Sequence, residues 1–399
     1  MSVVLSQSVF LAEQVRDHEG PAAKRSGVTL YELMERAGLA TYQQAISYFP
    51  KASTFVVLAG VGNNAGDGYV VARLAKQAGK QVTVIAAISD KPLKGDALSA
   101  QQAWLDAGGI ITADTSAIEQ ADIIIDGLLG TGIQSAVREP FSTLIKAANV
   151  SQVPIVAIDL PSGIHADTGV VQGVAIKAAL TVTFVGIKQG LVTGQGRAHA
   201  GTLEFNDLGI EDAFLKQTSP TAELINYQSQ ARLPERDNNS HKTSHGKLLC
   251  VGGNAGTAGA IRLTAEAALR TGAGMVKVYT HSSSILPVSI GRPELMVTDT
   301  NLISALEWAT CIAMGPGLGQ DTWSETTFEA VMQYCFTNNK PLVIDADALN
   351  LMAQHASSFP LANTVITPHP GEAAGLLNCR ASDIEENRFH AVKQLARSY

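Results

Sequence analysis

The stretch TFVVLAGVGNNAGDGYVVARL, residues 54–74, places an apolar run, a glycine-rich turn and a helical pattern in immediate succession. A strand of that kind, running straight into a helix through a tight turn, belongs to a parallel sheet with crossover helices. The same alternation spreads outward from it. Apolar runs at 54–60, 81–88, 121–127, 153–160 and 180–186 read as strands of one sheet. Ahead of them Thr29 and Glu32 have capping-box spacing and open the helix LYELMERAGLATYQQAISYF.

The pattern lapses between about 213 and 245, where the chain is polar and lacks a long periodic stretch, so a boundary is expected near 225. Strand-like runs return at 247–253, 274–280, 294–298, 310–317, 341–349 and 363–372. The fold class is therefore α/β with two α/β domains, residues 1–220 and 225–399. Near the end, Ser382 and Glu385 suggest another capping box opening a helix that runs to Tyr399. No glycine stop and no strand follow, so the second domain is expected to be incomplete.

At 399 residues, two domains are the default, each large enough for a real core. Hydrophobic content of 46% with 16% charged residues excludes a disordered chain. The net charge of −7 argues against a nucleic-acid partner or a polybasic membrane contact. No apolar window reaches the roughly 18 residues of a membrane span, and the N-terminus has no secretory pattern. Cys250, Cys311, Cys335 and Cys379 form no CxxC and no zinc spacing, which suits reduced thiols in a cytoplasmic protein.

Gly60, Gly62 and Ala65 fit the permissive dinucleotide fingerprint G-x-G-x-x-A. A redox enzyme of that type also wants an acidic residue for the ribose at the end of the second strand. Asp90 comes about ten residues late for the usual spacing of roughly 20. Asn63, Asn64 and Asp67 are the departures. Their oxygens suit a hard cation, while amides after Gly66 could take a phosphate. Alternatively Asp67 is a helix cap and the asparagines supply left-handed turn geometry. Further strand ends present Asp126 before GLLGTGIQSA, Asp159 and Ser162 in IDLPSG, and Lys188 in GIKQG. Ligands of open α/β sheets bind at such ends.

The ordered motifs MERAG, GVGNNAGDG, DGLLGTG, AIDLPSG and VTFVGIKQGL, over about residues 5–215, resemble the NAD(P)H-hydrate epimerase family. The resemblance implies a Rossmann-like three-layer sandwich that epimerises the R and S hydrates of NADH and NADPH. It implies Asp159 as acid/base with Lys188 as its partner. It implies Asn64, Asp126 and Ser162 as oxygen ligands of potassium. The nucleotide would be lined by Asn63, Asn64, Ala65, Gly66, Asp67 and Asp159, with Gly130, Thr131, Gly132, Ile133, Gln134, Ser135 and Ala136. Inverting a carbon beside a ring nitrogen needs a positioned acid or base and no redox group.

In the second half, glycines at 252–259, MGPGLG, VIDADALN and TPHPGEAAGLL stand at further strand ends. His369 sits between two prolines, where a structural role is equally open. Over about 235–399 these resemble the ADP-dependent NAD(P)H-hydrate dehydratase, a ribokinase-like fold. The resemblance implies hydrate contacts from Ala260, Gly317 and His369. It also implies ADP and Mg2+ as cofactors, with phosphoryl transfer turning the hydroxyl into a good leaving group. The family's Gly-Thr-Gly-Asp turn, which carries its catalytic aspartate, is absent from the 399 residues, so dehydration by this chain is expected to be lost. A small-molecule kinase and a non-catalytic nucleotide- or partner-binding protein are the rival readings, and a homo-oligomer is possible on either.

Overall fold

The computed structural model describes residues 7–87, 92–227, 233, 235–355 and 363–399. Asp90, weighed above for a ribose, lies outside the described residues. The chain divides into two compact units, Met1–Ala231 and Arg232–Tyr399.

The first unit opens with β1 (Ser8–Phe10), α1 (Ala12–Arg25) and α2 (Leu30–Tyr48). Helix α2 starts where the capping box was expected. Thr29 Oγ1 accepts from Glu32 N at 3.1 Å and Glu32 Oε2 accepts from Thr29 N at 2.8 Å. Then follow β2 (Thr54–Ala59), α3 (Asn63–Gln77), β3 (Gln81–Ala86), α4 (Gly95–Asp106), β4 (Ile111–Thr112) and β5 (Ile123–Gly127). They are succeeded by α5 (Phe141–Val150), β6 (Ile155–Ile158), β7 (Leu180–Phe184), β8 (Ile187–Lys188), β9 (Thr202–Asn206) and β10 (Ala222–Glu223).

Seven of these strands form one parallel sheet in the order β4-β3-β2-β5-β6-β7-β9. The period of two decides its layering. Phe55, Val57 and Ala59 pack into a core with Leu33 of α2, Val70 of α3 and Ala100 of α4. Val56 and Leu58 point the other way, onto Leu144, Ile145 and Ala148 of α5. Helices therefore cover both faces, as a three-layer sandwich requires, and the strands read as continuous apolar runs because both faces are buried. From β2 the chain winds outward through β3 and β4, then restarts at β5 and winds the other way. The switch point lies between β2 and β5, where such sheets open a crevice at the carboxyl ends of their strands.

A small second sheet, β10-β1-β8, ties the start of the unit to its end. Phe10 pairs with Lys188 in parallel and Ser8 pairs with Glu223 antiparallel. These strands of two and three residues are too short to show a period, which is why the sequence hides them.

The second unit carries a six-stranded parallel sheet, β13 (Met296–Thr298), β12 (Met275–Tyr279), β11 (Lys247–Val251), β14 (Cys311–Met314), β15 (Leu342–Ile344) and β16 (Thr364–Ile366), in that spatial order. Its central strand also alternates, with Leu249 and Val251 in one core and Cys250 in another. The expected capping box at Ser382 and Glu385 is not formed. Instead Arg380 caps a short helix, Ala381–Glu386, and Asn387 breaks the chain before a second, Arg388–Ser398. The Asn387 side chain accepts from His390 N at 2.9 Å, the local competition with helical bonding that makes asparagine a cap residue. Among the described residues no helix is long and apolar enough to cross a membrane.

Candidate active site

The two glycine turns of the first unit lie back to back at the switch point. Gly60 N donates to Gly127 O at 3.1 Å, and a Cβ on Gly60 would sit 1.8 Å from Leu128 O. The first glycine of the fingerprint thus admits the neighbouring turn. Helix α3 begins at Asn63 with Gly62 as its cap residue. Asp67 is therefore inside the helix, not its cap, and the asparagines are helical, not left-handed. Ala65 N and Gly66 N both bond to Gly62 O, at 3.0 and 3.3 Å. The amides after Gly66, expected to take a phosphate, lie further inside this helix, and a terminal anion would meet those of Asn63 and Asn64 instead.

Above these turns lies a cavity of about 780 Å³. It is lined by Asn63, Asn64 and Asp67 of α3, all seven residues of 130–136, Asp159 and Lys188. Ala65 and Gly66 do not reach it. Ala65 is fully buried, and Gly66 packs against Met34, whose sulfur lies 2.6 Å from where a Cβ would be. The 130–136 segment is irregular but anchored: Gln134 Oε1 lies 3.2 Å from His165 Nε2, and Val137 N donates to Gln172 O at 2.9 Å.

Asp159 follows β6 at φ 64°, a left-handed conformation that costs a non-glycine residue about 1–3 kcal/mol. Its amide is held by Val182 O at 2.7 Å. Oδ1 accepts from Thr183 Oγ1 at 3.1 Å, Phe184 N at 3.2 Å and, in a short contact, Lys188 Nζ. Among the described residues Oδ2 has no partner, and the side chain is 19% exposed. Lys188 is 1% exposed and also donates to Phe184 O at 3.0 Å. Val185, at φ 63°, turns the chain so that the lysine folds back on the aspartate. A buried cation left alone would be prohibitive, so the pair is held together by necessity.

Asn64, Asp126 and Ser162 also converge. Ser162 Oγ donates to Asp126 Oδ1 at 2.6 Å, and Ser162 N donates to Oδ2 at 2.8 Å. Asn64 Nδ2 donates to Leu129 O at 3.0 Å, and Leu129 N donates to Ser162 Oγ at 2.9 Å. Asn64 is largely buried and lines the cavity. Burial pushes the Asp126 carboxyl up to about 6, against the pull of its Ser162 and Leu128 bonds.

Two further carboxyls that line the cavity lie above their ordinary range. Burial pushes Asp67 well above the ordinary carboxylate range, reinforced by Asp159 and Glu19 and opposed by Lys188. Glu19 is raised by burial, with Lys188 opposing and Asp159 adding. Glu19 was missed in the sequence. The signal was faint but present: Ala12, Val15, Arg16, Glu19 and Gly20 all line the cavity, a helical face of α1.

In the second unit, the Gly252–Thr257 turn zips onto 315–319. Asn254 N and Thr257 Oγ1 both donate to Gly317 O at 2.7 Å, and Gly317 has φ 63°. Ala260 N bonds to Thr257 O at 3.1 Å, so Ala260 and Gly317 meet through Thr257. His369 makes its hydrogen bonds locally. Its Nδ1 accepts from Gly371 N at 3.0 Å and its Nε2 lies 3.2 Å from Glu372 Oε1, within its own helix start.

Residues 30–190 match the family described as YjeF-related protein N-terminus, and 248–399 match NAD(P)H-hydrate dehydratase. The chain is 47% identical, over its whole length and 77% of the relative, to the bifunctional NAD(P)H-hydrate repair enzyme Nnr of Escherichia coli (strain K12). This chain belongs to the bifunctional NAD(P)H-hydrate repair enzymes. The member from Vibrio cholerae is 40% identical over 98% of this chain and 79% of its own. Among solved structures, the ADP/ATP-dependent NAD(P)H-hydrate dehydratase of Bacillus subtilis, co-crystallised with ATP and Mg2+, is 25% identical, covering 41% of this chain and 58% of its own at a TM-score of 0.34.

Proposed function

We propose that this protein repairs hydrated NADH and NADPH. Its first unit interconverts the R and S hydrates, and its second carries the hydrate contacts of the ADP- and Mg2+-dependent dehydration of the S hydrate, without the Gly-Thr-Gly-Asp turn among the 399 residues. The observation that carries the first assignment is Asp159 Oδ2, open to a cavity of nucleotide size, while three donors hold Oδ1. An aspartate held in that way accepts or returns a proton at one fixed point.

Asn64, Asp126 and Ser162 would hold a potassium ion. The fit rests on hard oxygen donors, a single carboxylate and the amide oxygen of Asn64, a residue that lines the cavity; among the described residues that line it there is no cysteine or histidine to offer softer ligation. The ion would fix the two glycine turns against each other and orient the nucleotide beneath Asp159. Asn63 and Asn64 amides at the start of α3 suit a phosphate of that nucleotide. For the second unit, Ala260, Gly317 and His369 are the proposed hydrate contacts, and His369 would need to release Glu372 or keep it as a support.

The test is to incubate one purified hydrate epimer with the protein and potassium and to follow the other by chromatography. Appearance of the second epimer without ADP supports the assignment. A composition unchanged from the protein-free control would overturn it.

A further inference from the structure

Inversion at the hydrated carbon needs two proton movements, one onto the departing oxygen and one off the arriving water. Asp159 supplies a carboxylate for only one of them, because Lys188, Thr183 and Phe184 all donate to its Oδ1. A second group must carry the other proton. The charged and titratable groups lining the cavity besides the Asp159–Lys188 pair are Arg16 and Glu19 on α1, Asp67 on α3, Asp96 on α4 and Arg138 after the 130–136 segment. Arg16 is spent on Asp17 at 3.1 Å, and Lys188 on Asp159. No cation pairs with Glu19 or Asp67 among the described residues, so one low-dielectric cavity holds more carboxyls than the cations beside it can offset.

We propose that Glu19 is the second acid/base group of the epimerase site, an inference that rests on the epimerase reading. Its carboxyl reaches the cavity from α1, whereas Asp159 reaches it from the end of β6. In one direction the C–O bond of the hydrate breaks, the electron pair leaves with the oxygen, and that oxygen takes the Glu19 proton to become water. The ring nitrogen lone pair forms the C=N bond of an iminium. Water then adds to the other face, its oxygen bonds to carbon, and Asp159 Oδ2 takes its proton. The site is left with Glu19 ionised and Asp159 protonated, which is the state that converts the opposite epimer with the roles exchanged. Asp67 is the less suitable partner. Burial raises both carboxyls against the pull of Lys188, and it raises Asp67 well above the ordinary carboxylate range, which suits a group that exchanges its proton less well.

The experiment compares wild type, Glu19→Gln and Glu19→Asp in the full chain. Glu19→Gln should lower kcat for epimer exchange by about 10²–10⁴-fold with KM within about threefold, the loss expected for one acid/base group. It should also abolish the loss of rate that wild type shows as pH rises through the Glu19 titration. Glu19→Asp should restore part of the rate. In water enriched in ¹⁸O each inversion should place a solvent oxygen in the product. Independently of activity, the glutamate carboxyl ¹³C signal that disappears in Glu19→Gln should titrate above the exposed glutamates. A kcat within about threefold of wild type, inversion without label, or a Glu19 signal titrating with the exposed set would each overturn the inference. If Asp159→Asn is slow while Glu19→Gln is not, the epimerase reading stands and Glu19 falls. A wild-type protein that exchanges no epimers overturns both.

Discussion

Lys188 is a cation with almost no solvent, and its partner list is short. Replacing it by methionine removes the charge and strands Asp159 on Thr183 and Phe184 alone. Removing one member of a buried pair costs up to about 3–5 kcal/mol, and the partial exposure of Asp159 should keep the loss at the low end. Urea melts of Lys188→Met should therefore show a clear fall in midpoint; an unchanged midpoint would mean that the pair contributes no stability. The cation prediction is also local. Asn64→Ala and Ser162→Ala should raise the potassium needed for half-maximal exchange by about tenfold or more, the equivalent of one lost oxygen ligand at roughly 1.4 kcal/mol. Metal analysis finding a tightly held zinc instead would contradict the donor-set argument. Asp126, Asp159, Ser162 and Lys188 were legible in the sequence because each stands just past an apolar run, where a parallel sheet presents its ligands. Ala65 and Gly66 misled for a local reason. The fingerprint suggests a loop there, whereas the helix starts at Asn63 and turns both residues inward. Glu19 was only faintly marked because α1 is mostly polar, contains Pro21 and follows the Phe10–Lys188 pairing.

At the scale of elements, packing both faces of each sheet made the long strands plain, and the short ones stayed hidden. β1, β8 and β10 exist only because residues far apart in sequence pair, so no local pattern announces them. Likewise Asn387, not Ser382, divides the last two helices, since its side chain satisfies His390 N. One element contact carries a pH prediction. Glu266 on the helix Ala258–Arg270 binds Arg262 Nε at 2.9 Å and Arg292 Nη2 at 3.0 Å, tying that helix to the loop before β13. Those two arginines hold the Glu266 carboxyl down at about 2. A lowered folded value stabilises above the unfolded value of 4.5 and is lost as pH falls from there toward 2. Glu266→Gln should therefore melt below wild type at pH 7, and the gap should narrow as pH is lowered through 4.5 to 3. A gap constant over that range would place the effect in packing.

At the scale of the molecule, each unit has its own parallel sheet, its own cores and its own switch point. The first unit's edges show what it needs to stand alone. Thr221 N donates to Val9 O at 2.9 Å, Gln189 Nε2 to Thr221 Oγ1 at 2.6 Å, and Gln14 Nε2 to Thr218 Oγ1 at 2.7 Å. A fragment ending at 215 loses all three and the β1–β10 pairing, although it keeps every epimerase motif. Residues 1–231 should fold and exchange epimers at the rate of the full chain, while 1–215 should melt lower. Equal melting points would show that the small sheet adds nothing. On the proposed function, Asp159 moves the proton that inverts the hydrate. That step is tested most directly by following epimer exchange in the full chain with Asp159→Asn, alongside hydrate binding and a melting curve. The expected rate is lower by about 10²–10⁴-fold, with the hydrate still bound and the fold intact. A folded variant exchanging epimers within about threefold of wild type would contradict it.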